Sequence, residues 1–395
     1  MTAQAPASRS SDSQSSDTPL TAASAEPRQL EDITPPKIFQ ELRRGVLGQD
    51  RALRFVSVAI YKHTTGKQPG NLLMIGNSGT GKTTIMNNIQ RLYNEVPEYR
   101  PFRAVTVINA NLLVDADRLE FRPNRLLAAV EQRARAIAGE KPSPEALQEA
   151  MERATVCIDE IDKMSTVLAG KPNALGVVLQ QGLLTLMEGE RVAYPIHAWV
   201  DGKEREIKVD IDTRHMMFVC GGAFESLYDQ VYERVSKPGS GAKLRKRTVR
   251  TADGQARIET RFSLAELLKP MDLFDFGMVP QFMARFEKVV VLNDLSVSVL
   301  REILMESFDS PWVRARQFFR VMKIELDMED LAAALIAEHA AKDTRTGARA
   351  LRPVVSEILN PLEFNPWDHP SLEKTDDEHY HLTVSADMAR KAIES

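Results

Sequence analysis

The sequence is short of cysteine, of long apolar runs and of net charge, and each shortage closes off a class of protein. Its two cysteines, Cys157 and Cys220, sit inside the apolar runs "TVCID" and "MMFVCGG", where buried strand thiols are expected. No CxxC pair occurs, so no zinc module of that kind is available. No apolar run approaches the roughly 18–20 residues of a spanning helix. The amino-terminal "MTAQAPASRSSDSQSSDTPL" lacks the apolar centre of a secretory signal. A soluble, cytoplasmic chain with no membrane partner is therefore expected. A net charge of -4 has the wrong sign for bulk electrostatics to recruit nucleic acid.

What is present divides the chain into three stretches. Residues 1–34 are rich in Ser, Ala, Thr and Pro and poor in large apolar side chains. Such a segment buries too little surface to offset its ordering entropy, so a disordered tail is expected. From 35 to 292 an apolar helix carrying Phe55, Val56, Val58, Ala59 and Ile60 comes first, stopped by Gly66 and Pro69. Five short apolar runs follow: Leu72–Ile75, Ala104–Asn109, Thr155–Asp159, Met216–Cys220 and Lys288–Leu292. They are continuous rather than alternating, which suits strands buried on both faces, and helical patterns separate most of them. An α/β domain with a parallel sheet flanked by helices is expected. Residues 293–395 change to helical patterns with one weak strand, "YHLTV", and read as a smaller α-helical domain.

The strongest local signal is "GNSGTGKTT". Gly76, Asn77, Ser78, Gly79, Thr80, Gly81, Lys82 and Thr83 match G-x-x-x-x-G-K-[ST] in full, after a strand and before a helix, and Thr84 is expected among the nucleotide-binding residues with them. That is the chemistry of a P-loop NTPase. The glycines let backbone N–H groups curl around phosphate oxygens, and the helix start adds the positive end of its dipole. Lys82 supplies a point charge to the β and γ phosphates, and the Thr83 hydroxyl is a ligand for Mg2+. A second buried strand must then end in an acid, and "TVCIDEIDK" does. Asp159 is suited to hold the metal through its water shell. Glu160 is placed to orient and deprotonate an attacking water. Asp162 and Lys163 are expected as solvated residues at a helix start. An adjacent Asp-Glu pair favours hydrolysis over transfer to a small molecule.

Around these motifs, "GVLGQDRALRFVSVAIYKH", "VCIDEIDKMS", "GVVLQQGLLTLMEG", "MFVCGGAF", "FGMVPQFMARFEKVVVLNDLS" and "RTGARALRPVVSEIL" occur in order between about residues 38 and 360. Together they resemble the AAA+ ATPases, and within them the ClpX-like branch of the Clp unfoldases. The resemblance implies ATP and Mg2+ as cofactors, protein clients, and a homo-oligomeric, hexameric ring. It places Val46 and Leu47 near the adenine. It makes Arg285, in "PQFMARF", the arginine finger reaching a neighbour's nucleotide, and Arg349, in "TGARALR", the sensor-2 arginine that contacts phosphate. A guanidinium in either place stabilises charge on the transferring phosphoryl group.

The chain departs from that family in three places. A short polar tail stands where the family has a Cys-rich zinc domain. The pore-loop region, "ADRLEFRPNRLL", offers only Phe121 and no glycine, and Phe121 reads equally as a polypeptide grip or as core. Where the family carries Ile-Gly-Phe for peptidase docking, this chain has "SKPGSGAKLRKRTVRTADG", with a basic loop from Lys243 to Arg250. A peptidase partner is thus not implied. Cys-Gly-Gly in "FVCGGAF" replaces a polar sensor-1, as in the close family. A nucleic-acid-directed ring has only the basic loop in its favour, and a nucleotide-gated scaffold is disfavoured by the complete set of catalytic residue types.

Overall fold

The computed structural model describes residues 33–395 apart from 169, 241–244, 251–255, 344 and 377, and for 245–250 and 256–261 it describes the main chain. The expected tail falls outside the described residues except at its end. There Ile33 is buried, and the Thr34 carbonyl accepts the Ile38 N–H at 3.0 Å to open the first helix.

Five parallel strands form the central sheet, in the spatial order Lys288–Val291, Leu72–Ile75, Met217–Gly222, Thr155–Asp159 and Val105–Asn109. Each coincides with one of the apolar runs to within two residues at either end. Their continuity has a simple cause: successive side chains point to opposite faces, and both faces are covered. Leu73, Ile75, Val156, Ile158, Phe218 and Cys220 enter one core, whereas Leu72, Met74, Cys157, Met217 and Val219 enter the other. Both cysteines are free and buried, and burial pushes their thiols far above the usual range.

Helices α1 (Pro35–Arg43), α2 (Asp50–Thr64) and α3 (Lys82–Glu95) cover the second face. Helices α4 (Pro123–Ala138), α5 (Pro144–Glu152) and α6 (Ala174–Met187) pack on the first. Beyond Asn293 a third core draws on residues from Leu300 to Ala389. It contains more strand than expected: Ile324–Met328 runs parallel to Tyr380–Val384, and Leu372–Lys374 pairs with the latter antiparallel.

A long hairpin, Arg191–Val200 with Lys203–Asp212, is also absent from the sequence reading. Its turn is Asp201-Gly202, with φ of 51° and 76° at the two residues, so an Asp-Gly pair is the composition such a two-residue turn requires. The Tyr194 hydroxyl donates to Glu131 at 3.0 Å, and the Trp199 N–H to Pro142 O at 2.8 Å, fixing the hairpin to α4 and the segment after it. A correction concerns the basic loop. Lys243 lies outside the described residues, but Arg245–Arg250 is a strand paired antiparallel with Ala256–Arg261.

Candidate nucleotide site

The phosphate loop joins the strand Leu72–Ile75 to α3, and its backbone needs glycine where the motif puts it. Gly79 and Gly81 have φ of 70° and 104°, a region that costs an L side chain about 1–2 kcal/mol. A Cβ on Gly79 would lie 2.1 Å from Thr346 O, so a second segment of chain also depends on that glycine.

Lys82 is 8% exposed and donates to Gly76 O at 2.6 Å and Asn77 O at 3.0 Å, so its ammonium lies folded back over the loop. Burial holds its pKa below the usual lysine value, and attraction to Asp159 opposes that shift. The Thr83 hydroxyl donates to Asp159 Oδ2 at 2.6 Å, bringing together the two oxygens expected to serve a metal. A hydroxyl and a carboxylate suit a hard cation that takes its remaining ligands from phosphate and water.

Glu160 adopts a left-handed backbone, φ 58°, which turns it away from the strand line. Asn109 Nδ2 donates to its Oε2 at 2.6 Å. Asn109 ends the neighbouring strand and stands in register with Asp159. The sequence reading did not select it, although a polar residue closing the run "TVIN" was a usable signal.

Lys82, Thr83, Asp159 and Glu160 border a cavity of about 610 Å³. Val46 and Leu47 line it on one side, the loop from Ser78 to Thr84 forms its floor, and Asp159 and Glu160 lie at the carboxy-terminal end of the interior strand Thr155–Asp159. Arg349 closes it from the carboxy-terminal part, with Nη1 donating to Ser78 Oγ at 2.7 Å. The Ala348 N–H donates to Gly79 O at 3.1 Å, so "TGAR" lies directly on the phosphate loop. Gln49 adds an unforeseen tie: buried at 1%, it donates to Thr80 O at 3.0 Å and Asn293 O at 2.8 Å and accepts the Asn293 N–H at 3.0 Å.

Two expectations need comment. Asp162 is not solvated: it is 6% exposed, borders the cavity and accepts the Ala223 N–H at 3.1 Å. The reason is the short 3-10 turn Ile161–Met164, which directs it inward against the end of the Cys220 strand, while Lys163 stays exposed. Asp162→Ala should leave that N–H unpaired and cost about 1–3 kcal/mol in urea unfolding. Asp162→Asn, which keeps an acceptor, should lose less than half as much. Phe121, for its part, packs partly buried against the first core, with its ring beside Gly182 of α6, where a Cβ would lie within 2.2 Å. That contact favours core over grip.

Arg285 does not line the cavity. It is half-exposed and ion-paired with Glu188. Of the residues expected to act on nucleotide, it is the one that stands away from this site.

Comparison with known proteins agrees with this geometry. The AAA domain family (Cdc48 subfamily) matches residues 67–289. Among similar proteins are three ATP-binding subunits of the ATP-dependent Clp protease named ClpX. That of Bacteroides thetaiotaomicron is 29% identical over 379 residues, covering 91% of this chain and 82% of its own. That of Porphyromonas gingivalis is 29% identical over 354 residues, covering 85% and 78%. That of Azotobacter vinelandii is 30% identical over 361 residues, covering 86% and 76%.

Proposed function

The chain belongs to the AAA family of ATPases, and on that premise we propose a ClpX-like motor that hydrolyses ATP in a homomeric ring and spends the energy unfolding or remodelling protein clients. One observation carries the reading: the Thr83 hydroxyl, Asp159 and Glu160 meet at the rim of one cavity with Arg349 lying on the phosphate loop.

The roles follow from chemistry. Backbone N–H groups of Gly76–Thr84 and the start of α3 hold the phosphates. Lys82 leaves the loop carbonyls to meet the β and γ phosphates. Thr83 and Asp159 would hold Mg2+, which would supply positive charge beside the phosphate oxygens. Glu160 takes the proton from the attacking water. Val46 and Leu47 supply the apolar wall for the base.

Residues 35–292 act as the large domain and 293–395 as a smaller one that reports on the nucleotide through Arg349. Separate hydrophobic cores support that division. Arg285 serves a neighbouring copy, in a ring of six as in the family the chain resembles; its distance from its own cavity is what such a role demands. Clients are protein rather than nucleic acid, and no peptidase partner is proposed.

ATPase measurements with effectors test this. Permanently unfolded protein should raise Mg2+-dependent turnover several-fold, whereas duplex or single-stranded DNA should leave it unchanged. Stimulation by DNA alone would replace the proposal with a nucleic-acid-directed ring.

A further inference from the structure

Arg285 sits at the end of a hydrogen-bonded unit that begins at the hydrolytic carboxylates of its own chain. The turn Ile161–Met164 follows Glu160 directly. Gln180 of α6, 1% exposed, donates from Nε2 to Met164 O at 2.9 Å and to Gly277 O at 3.1 Å. Its Oε1 accepts the Val279 N–H at 2.8 Å. Ser165 Oγ donates to Phe276 O at 2.7 Å, and the Thr166 N–H to Gly277 O at 2.9 Å. From Val279 the chain passes through the short helix Pro280–Met283 to Arg285. The base of the arginine is thus fixed, but a long side chain on a fixed base still has several rotatable bonds.

Glu188 addresses that freedom. It caps the carboxy-terminal end of α6, and its Oε1 accepts from Arg285 Nη2. The last carbonyls of α6 add the negative end of that helix. Among the described residues, the side-chain hydrogen bond of Arg285 runs through Nη2 alone. A guanidinium carries five donors in a planar fork, so one edge is held and the rest remain available. Both partners are more than a third exposed, and an ion pair of this kind is too weak to withhold the arginine from a polyphosphate. It orients rather than sequesters.

We infer that Glu188 is a positioning residue for ATP hydrolysis, aiming the Arg285 guanidinium out of its own subunit toward the phosphates bound by the next copy. The inference rests on Arg285 being the finger. Glu188 touches no nucleotide and acts only through Arg285, so its removal should cost turnover without changing nucleotide binding or assembly.

Steady-state ATPase on the assembled protein tests it. Glu188→Ala should lower kcat on the order of tenfold, as expected for a misaligned catalytic group. KM for ATP and the oligomeric state should stay as in the wild type. Glu188→Gln, which keeps the acceptor, should recover most of the loss. In an Arg285→Ala background, with residual turnover followed by radiolabelled ATP, Glu188→Ala should have no further effect. A general structural role predicts the opposite, the same fold-loss in either background, and that result overturns the inference. So does wild-type kcat in Glu188→Ala alongside an inactive Arg285→Ala, a pattern that spares the finger. Full turnover in Arg285→Ala would instead remove the finger, and the inference with it.

Discussion

Glu160→Gln is expected to bind ATP as tightly as the wild type and to hydrolyse it about 10²–10⁴-fold more slowly, the range for losing a general base. The substitution keeps the size of the side chain and its ability to accept the hydrogen bond from Asn109 Nδ2. It removes the charge and the proton affinity that activate water. Lys82, Thr83 and Asp159 are untouched, so phosphate and cation binding should persist. Single-turnover hydrolysis and nucleotide retention after rapid gel filtration separate the two effects. Because the protein should then rest in its ATP-bound form, clients should remain attached, and those that co-purify identify the physiological substrate. If Glu160→Gln turns over at the wild-type rate, water is activated elsewhere and the catalytic assignment is wrong.

Asn109 gives that variant a useful companion. A carboxylate held at 2.6 Å by an amide on the adjacent strand is not free to approach water at the γ phosphate. Binding of nucleotide must rotate Glu160 away from Asn109 or move the attacking water to it. Comparison of Asn109→Ala with the wild type, in the presence and absence of client, measures which of these happens.

The parts of this arrangement that sequence made legible are those written in contiguous residues. A buried parallel strand is a short apolar run, and all five were found because both faces of the sheet are covered. The phosphate loop is nine consecutive residues whose glycines answer to local backbone needs, and Asp159–Glu160 closes a single strand. What escaped depends on partners far along the chain. Gln49 looks like any polar residue until it meets Asn293, 244 positions away. Asp162 follows Glu160 by two residues and reads as solvated, and only the end of the strand at Ala223 gives it a buried role. Gln180 lies in a helix whose other residues are mostly apolar, and its three backbone partners come from two distant segments. The strand Ile324–Met328 was hidden because its alternation, "IELDM", is short and half polar, and its partner lies more than fifty residues downstream. The Arg191–Asp212 hairpin is different. Its Asp-Gly turn stands in contiguous residues, but the many charged residues of Lys203–Asp212 obscure the strand pattern beside it.

The largest expected loss is that of Arg285→Ala: about 10³–10⁵-fold in turnover, with ATP affinity nearly intact, as for other arginines that complete a phosphoryl-transfer site. Loss of rate alone does not say whose nucleotide the arginine serves. Its position outside the cavity lined by Lys82 and Arg349, paired instead with Glu188, implies a neighbour's. Mixing two inactive proteins decides the point. A chain with Glu160→Gln still offers Arg285, and a chain with Arg285→Ala still offers Glu160. In a head-to-tail ring assembled at random from equal amounts, about a quarter of the interfaces unite the intact Glu160 of one chain with the intact Arg285 of the next. ATPase should therefore reappear on mixing, at up to roughly that fraction of the wild-type rate, and only after subunits exchange. Were the arginine to act within its own chain, every site in the mixture would lack one group and the activity would stay at the level of the separate proteins. That outcome, like full-speed hydrolysis by a monomer, would leave no reason for a ring.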